Sequence, residues 1–199
     1  VLSVARQALL ESLKHWANPS SPHAEGRAAR AALEDARERI KAALGWEHEL
    51  IFTSGASEAL SIALGRSVAD AFIVSAVEHD AVHRSAPEAY FLPVATDGLV
   101  ARDALFGRLA ALGAKQPLVA IQHVNNETGV IQPLEELGAV VRQADGILLA
   151  DCAQSAGKLT LPDADIIAVS AHKLGGPPGI GALLVRDLGL ITPSGGQEK

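Results

Sequence analysis

The stretch Leu118-Val119-Ala120-Ile121-Gln122-His123-Val124-Asn125-Asn126-Glu127-Thr128-Gly129 decides how the chain is read. Four apolar residues stand in succession, and then the sequence turns polar. A run with no polar face suits a strand covered on both sides. The same change recurs elsewhere. Leu50-Ile51-Phe52-Thr53 leads into Ser54-Gly55-Ala56-Ser57-Glu58, and Ala71 to Ala76 leads into Glu78-His79-Asp80. Ile147-Leu148-Leu149-Ala150 precedes Asp151-Cys152-Ala153-Gln154, and Asp165 to Val169 precedes Ser170-Ala171-His172-Lys173. Helical patterns lie between these runs: Val4 to Trp16, Ala24 to Leu44 closed by Gly45, a helix capped by Ser57 and reaching Gly65, a turn from Asp80, Asp103 to Leu112, and Leu134 to Ala144. Tyr90 to Val94 reads as extended. Ile180 to Val185 follows a glycine-proline turn closely enough to return antiparallel. The pattern predicts an α/β fold of three layers: a mostly parallel sheet covered by helices on both faces, with one late antiparallel strand.

With 199 residues the chain suits one large domain or at most two small ones. No internal repeat or linker divides it, so residues 1–199 are read as one large domain with 1–16 as a leading helix. A hydrophobic content of 48% against 20% charged residues rules out a disordered chain. A net charge of −6 without a basic run argues against indiscriminate nucleic-acid binding. The single cysteine cannot form an internal disulfide, which predicts a reducing, cytoplasmic setting. No stretch approaches the roughly 20 apolar residues of a membrane helix. The chain starts at Val1 and has no methionine, so a piece of a longer polypeptide is expected.

In open parallel sheets, ligand groups collect in loops beyond the C-terminal strand ends. Five polar loops in such positions predict one site. Ser54-Gly55-Ala56-Ser57 before a helix can cradle a phosphate, since glycine admits close approach and free N–H groups favour an anion. Taken alone, it reads better as an ordinary helix cap. Lys173, after a buried strand, can lose its proton and form a Schiff base, although a lone lysine there would read as a surface residue. Asp151 can keep a ring nitrogen protonated, as a pyridoxal ring acting as electron sink requires, or can be a turn aspartate.

Together these residues resemble the cysteine desulfurases, in the class V aminotransferase branch of pyridoxal-phosphate enzymes. The resemblance runs from about Asn18 to the end. It rests on Asn18-Pro19-Ser20-Ser21, His23, Gly26-Arg27, Phe52 to Glu58, Glu78-His79, Asn125 to Gly129, Asp151, Gln154, Gly157-Lys158, Ser170 to Lys173 and Gly195-Gly196-Gln197-Glu198. It implies pyridoxal 5'-phosphate as cofactor and, as activity, conversion of cysteine to alanine with persulfide sulfur transfer. Lys173 would carry the cofactor covalently and shuttle protons. His79 would stack on the ring and act as an acid–base group. Asp151 would pair with the ring nitrogen, and Gln154 with the ring hydroxyl. Asn126 would lie near that hydroxyl and the substrate carboxylate, while Ala56, Ser57, Ser170 and His172 would hold the phosphate. A homodimer, a sulfur-acceptor protein and a place in iron–sulfur cluster assembly are implied as well.

Departures from the family pattern stand at Leu60, Ser61, Gly175 and Pro178, all expected to lie away from cofactor contacts. The resemblance also implies a small C-terminal domain, absent here, carrying the persulfide cysteine and a carboxylate-binding arginine. Cys152 cannot replace that cysteine, because side chains alternate along a strand and its neighbour Asp151 faces the ring. The piece alone is therefore expected to be inactive. Related readings are a selenocysteine lyase, an aminotransferase, or a non-catalytic interaction module that keeps the fold. Other readings are weaker. His79 and His83 have the spacing of a helical zinc site but lack a third ligand, so no metal is expected. Gly175 to Gly181 lacks the ending of a nucleotide-binding P-loop, and Cys152 with His123 or His172 has no informative protease spacing.

Overall fold

A computed structural model describes residues 1–193 of the chain. The Gly195-Gly196-Gln197-Glu198 motif lies outside the described residues. Among these residues the helices are α1 (Ser3–Lys14), α2 (Ala24–Leu44), α3 (Ala56–Gly65), α4 (Asp80–Ser85), α5 (Arg102–Leu112) and α6 (Leu134–Gln143). The strands are β1 (Glu49–Thr53), β2 (Ala71–Ser75), β3 (Tyr90–Leu92), β4 (Pro117–Gln122), β5 (Ile147–Asp151), β6 (Ile166–Ser170) and β7 (Gly181–Val185). They form one sheet in the order β1-β7-β6-β5-β4-β2-β3. Pairings among β2 to β6 are parallel, and β7 runs antiparallel to both β6 and β1. The expected late antiparallel strand is therefore β7, wedged between β1 and the rest.

The three layers follow from the two-residue period of a strand. Every residue of β4, β5, β6 and β7 is buried, and alternate side chains enter opposite cores. Val119, Ile121, Leu148, Ala150 and Ile167 pack with Leu105 and Leu109 of α5 and Leu137 and Val140 of α6. Leu118, Ala120, Leu149, Ile166 and Ala168 pack with Ala59, Leu60 and Ala63 of α3 and Val82 of α4. Gly45 closes α2 at φ 67°, in the left-handed region that glycine enters without steric cost. No helix is long and apolar enough to cross a membrane among the described residues.

Several sequence expectations are corrected by local hydrogen bonding. Ser57 is not the cap of α3, because Gly55 takes that place and the helix begins at Ala56. The cause is a tight turn in which the Thr53 hydroxyl donates to the Gly55 carbonyl and Glu58 reaches back to accept from Ser54 N at 2.6 Å. Asp165 is not part of β6; its carboxylate accepts from Leu148 N at 2.8 Å and joins β5 to the strand that follows. The third strand stops at Leu92 instead of Val94, which makes only an isolated bridge to Val100. The Asn18-Pro19-Ser20-Ser21 motif is a turn. Asn18 Oδ1 accepts from Ser20 N at 2.9 Å, and His23 Nδ1 then caps α2 through Gly26 N at 3.1 Å.

Candidate active site

The C-terminal ends of β1, β2, β4, β5 and β6 open on one edge of the sheet, where a cavity of about 340 Å³ lies. That volume suits a small organic ligand. Every residue singled out for the cofactor lines it: Ala56, Ser57, His79, Asn126, Asp151, Gln154, Ser170, His172 and Lys173. Parallel pairing accounts for the convergence. Neighbouring strands end together, so the loops that follow them meet.

One wall is the start of α3. No side chain caps it, so its first backbone N–H groups and the positive end of its dipole face the cavity beside Ser57. Across from it, Ser170 Oγ and His172 Nδ1 are 2.8 Å apart. In either direction of that bond one donor remains, the imidazole Nε2–H or the serine O–H. The two walls together make an anion site. The turn from Ala171 to Leu174 places Lys173 at the mouth, exposed, and ends at Gly175 with φ 93°. A side chain at Gly175 would also press on Leu2, whose amide donates to the Gly175 carbonyl at 2.8 Å. This explains the glycine where the family pattern has a larger residue.

Asp151 closes the floor. It is the last residue of β5, is nearly buried, and its Oδ1 accepts from Ala153 N at 2.9 Å. Burial pushes its carboxyl up. The Ala153 amide, the His79 imidazole and the positive charge of Lys173 draw it back. His79 caps α4, with Nδ1 accepting from Ala81 N at 3.1 Å. The neutral ring therefore carries its proton on Nε2, ready to be given or taken in the cavity. Of the paired asparagines, Asn125 is structural: its Oδ1 accepts from Glu127 N and Thr128 N, and its amide donates to the Val77 carbonyl. Asn126 is left to face the cavity. The Gln154 side chain does likewise, while its carbonyl accepts from Lys158 Nζ at 2.7 Å.

Cys152 faces the opposite way. It is fully buried in the core shared with α5 and α6, and burial pushes its thiol up to about 12. His123 Nδ1 bonds Ser155 Oγ at 2.9 Å and His172 is held by Ser170, so no thiol–imidazole pair exists among the described residues. His83 leaves His79 to pack on Phe91, with ring centroids 5.3 Å apart.

Two departures expected to lie away from the site, Leu60 and Pro178, line the cavity. Leu60 stands one helical turn beyond Ala56 and Ser57, and so shares their face. Gln122 also lines it and was missed. It is the last residue of β4, and its amide group donates to the Val77 carbonyl. Its place at a strand end was the available signal.

Gly181 makes the site possible from behind. A Cβ there would lie 2.6 Å from Gly55 Cα and 2.7 Å from the Val169 carbonyl oxygen, all backbone that cannot step aside. Gly181→Ala is expected to destabilise the chain by about 1–3 kcal/mol and to displace the turn before α3. Urea unfolding measures the first effect; unchanged stability would contradict this packing.

What the sheet builds at this edge is a pocket whose hydrogen-bond donors suit an anion, next to the amine of Lys173, at the strand ends where α/β domains bind ligands. Comparison with known proteins places it further: the chain belongs to the aminotransferase class-V family, whose model matches residues 2–197. It is 36% identical over 220 residues to the cysteine desulfurase IscS of Dictyoglomus turgidum, covering 97% of this chain and 55% of that protein. Among solved structures, a NifS-like protein from Rickettsia africae superposes with a TM-score of 0.92 at 28% identity, over 100% of this chain and 59% of the other. SspA in complex with cysteine superposes with a TM-score of 0.86 at 31% identity, over 100% and 63%. The chain spans about half the length of the curated relatives it matches.

Proposed function

We propose that the chain is the pyridoxal-phosphate-binding large domain of a cysteine desulfurase. The observation that carries this reading is the meeting of Lys173, Asp151 and the uncapped start of α3 around one cavity. The residues fit the cofactor. An anion site, a buried carboxylate whose Oδ2 makes no protein hydrogen bond among the described residues, and a primary amine answer its phosphate, its ring nitrogen and its aldehyde. The substrate class is supported by the desulfurase relatives and by the cysteine complex of SspA.

Bound there, pyridoxal phosphate supplies an electron sink for the substrate's α carbon. Ala56 and Ser57 would hold the phosphate with backbone N–H and hydroxyl, joined by Ser170 and His172. Asp151 would keep the ring nitrogen protonated, Gln154 and Asn126 would hydrogen-bond the ring hydroxyl, and His79 would stack on the ring. Lys173 Nζ and His79 Nε2 hold and move protons within the cavity. In the net reaction a thiolate would attack the substrate sulfur to form a sulfur–sulfur bond, the carbon–sulfur bond would break with its electron pair going to the carbon, and that carbon would take up a proton, giving a persulfide and alanine. That thiolate, a partner subunit, a sulfur acceptor for iron–sulfur assembly and a cytoplasmic setting belong to the whole protein in this reading.

The test is retention of pyridoxal phosphate after gel filtration, with pyridoxal as the comparison. About one equivalent of the phosphate form is expected, and clearly weaker retention of the form without it. Retention of neither defeats the proposal. The single cysteine is sealed in the core, so the 199-residue chain is expected to release no alanine from cysteine, with or without Cys152→Ser. Alanine release that Cys152→Ser abolishes would show that the buried thiol is the nucleophile.

A further inference from the structure

Glu78 stands behind the cavity floor with no role in the account above. It is 7% exposed, and its Oε1 accepts from Gln122 N at 2.7 Å. Its Oε2 is sealed from solvent and has no hydrogen-bond partner among the described residues. Gln122 on β4 lies in register with Asp151 on β5, so the bond to Gln122 ties Glu78 to the strand end that flanks the floor aspartate. Two buried carboxyls thus share one corner.

We propose that Glu78 is a positioning residue that keeps its proton while Asp151 gives up its own, so that the floor carries a single negative charge and the end of β4 stays fixed beside it. Burial without a partner costs a carboxylate oxygen far more than it costs a neutral carboxyl. The groups facing Glu78 are the Gln122 amide from β4, the Ser75 hydroxyl from β2 and Asp151 from β5, and none of them is a cation. Asp151, in contrast, opens on the cavity and feels the positive charge of Lys173. Of the two carboxyls, Glu78 is therefore the one that keeps its proton. Burial and the Asp151 charge hold that carboxyl up, at about 8, against the pull of Gln122 and Ser75. Ionising Glu78 would put a second negative charge beside Asp151 and weaken the strand corner that supports it.

The inference rests on the proposed function for the identity of the cation that Asp151 meets, and the test separates the two. Carbon-13 titration of the side-chain carboxyls, with Glu78→Gln and Asp151→Asn identifying the two signals, is expected to show Glu78 ionising last, near pH 8. Glu78 ionising in the ordinary glutamate range, or after which Asp151 still holds its proton, overturns the inference. Pyridoxal-phosphate affinity supplies the second readout. Glu78→Gln keeps an acceptor for Gln122 and should bind within about twofold of the native chain at pH 7, retaining affinity above pH 8 where the native chain loses it. Glu78→Ala should bind about tenfold more weakly, from the buried Gln122 amide left unpaired. A Gln variant as impaired as the Ala variant at pH 7 means that the charge itself is needed, and the inference falls. If the native chain binds no pyridoxal phosphate at any pH, the proposed function falls, and the carboxyl titration alone decides the inference.

Discussion

Lys173→Ala is expected to abolish the visible absorption that pyridoxal phosphate gains on attachment to the chain and to weaken its binding by about two orders of magnitude, close to 3 kcal/mol. Among the described residues, Lys173 is the lysine that lines the cavity. Lys14 and Lys41 are paired with Glu11 and Glu38 on the outer helices, and Lys158 donates to the Gln154 carbonyl. The variant should otherwise be intact. The side chain is exposed and makes no hydrogen bond among the described residues, so unfolding stability should move by no more than about 0.5 kcal/mol. Spectrophotometric titration of both proteins provides the measurement. An absorption band that persists in the variant assigns the attachment to another amine and removes the main support for the proposed chemistry.

The Asp151→Asn variant should move stability and binding in opposite directions. Asparagine keeps an acceptor for Ala153 N while removing the buried charge. Because burial raises the folded carboxyl above its ordinary value, the folded chain holds that proton to higher pH than the unfolded chain does. Folding stability is therefore lost as pH rises from about 4 through the raised folded value, and the asparagine variant escapes that loss. Its apoprotein should be the more stable of the two at neutral pH, with the gain vanishing below about pH 4. Affinity for pyridoxal phosphate should fall by a factor of about 100 to 1,000, as when one partner of a buried charge pair is removed. Urea unfolding from pH 4 to pH 8 and cofactor titration test both halves. A variant less stable at pH 7 with normal affinity would show that Asp151 is structural, not a cofactor partner.

Much of this site could be read without coordinates, because parallel sheets put function at a position the chain itself marks. A strand buried on both faces must be apolar throughout, so its end is visible as the first polar residue. Asp151, Ser170 and the loops holding His79, Asn126 and Lys173 could be found in that way. The alternation of inward and outward side chains separated Asp151 from Cys152 for the same reason, since a two-residue period is a local property. The sheet's layers and its antiparallel seventh strand followed from run lengths and one short turn.

What escaped the sequence depends on contacts between segments far apart in the chain. Glu78 and Gln122 are separated by 44 positions, and only the pairing of β4 with β2 and β5 brings the carboxyl to that amide and leaves its second oxygen sealed. Gly181 reads as one glycine in a glycine-rich turn until the approach of Gly55 shows that no side chain fits. The cap of α3 was misplaced because Ser57 has the right chemistry for a cap, while the reach of Glu58 to Ser54 N starts the helix two residues earlier and frees the serine for the cavity. Leu60 and Pro178 looked remote by motif and line the wall by geometry. Local patterning of polarity determined which residues end the strands. Register and close packing, which no short window of sequence contains, decided which of them meet, which are held in place and which stay charged.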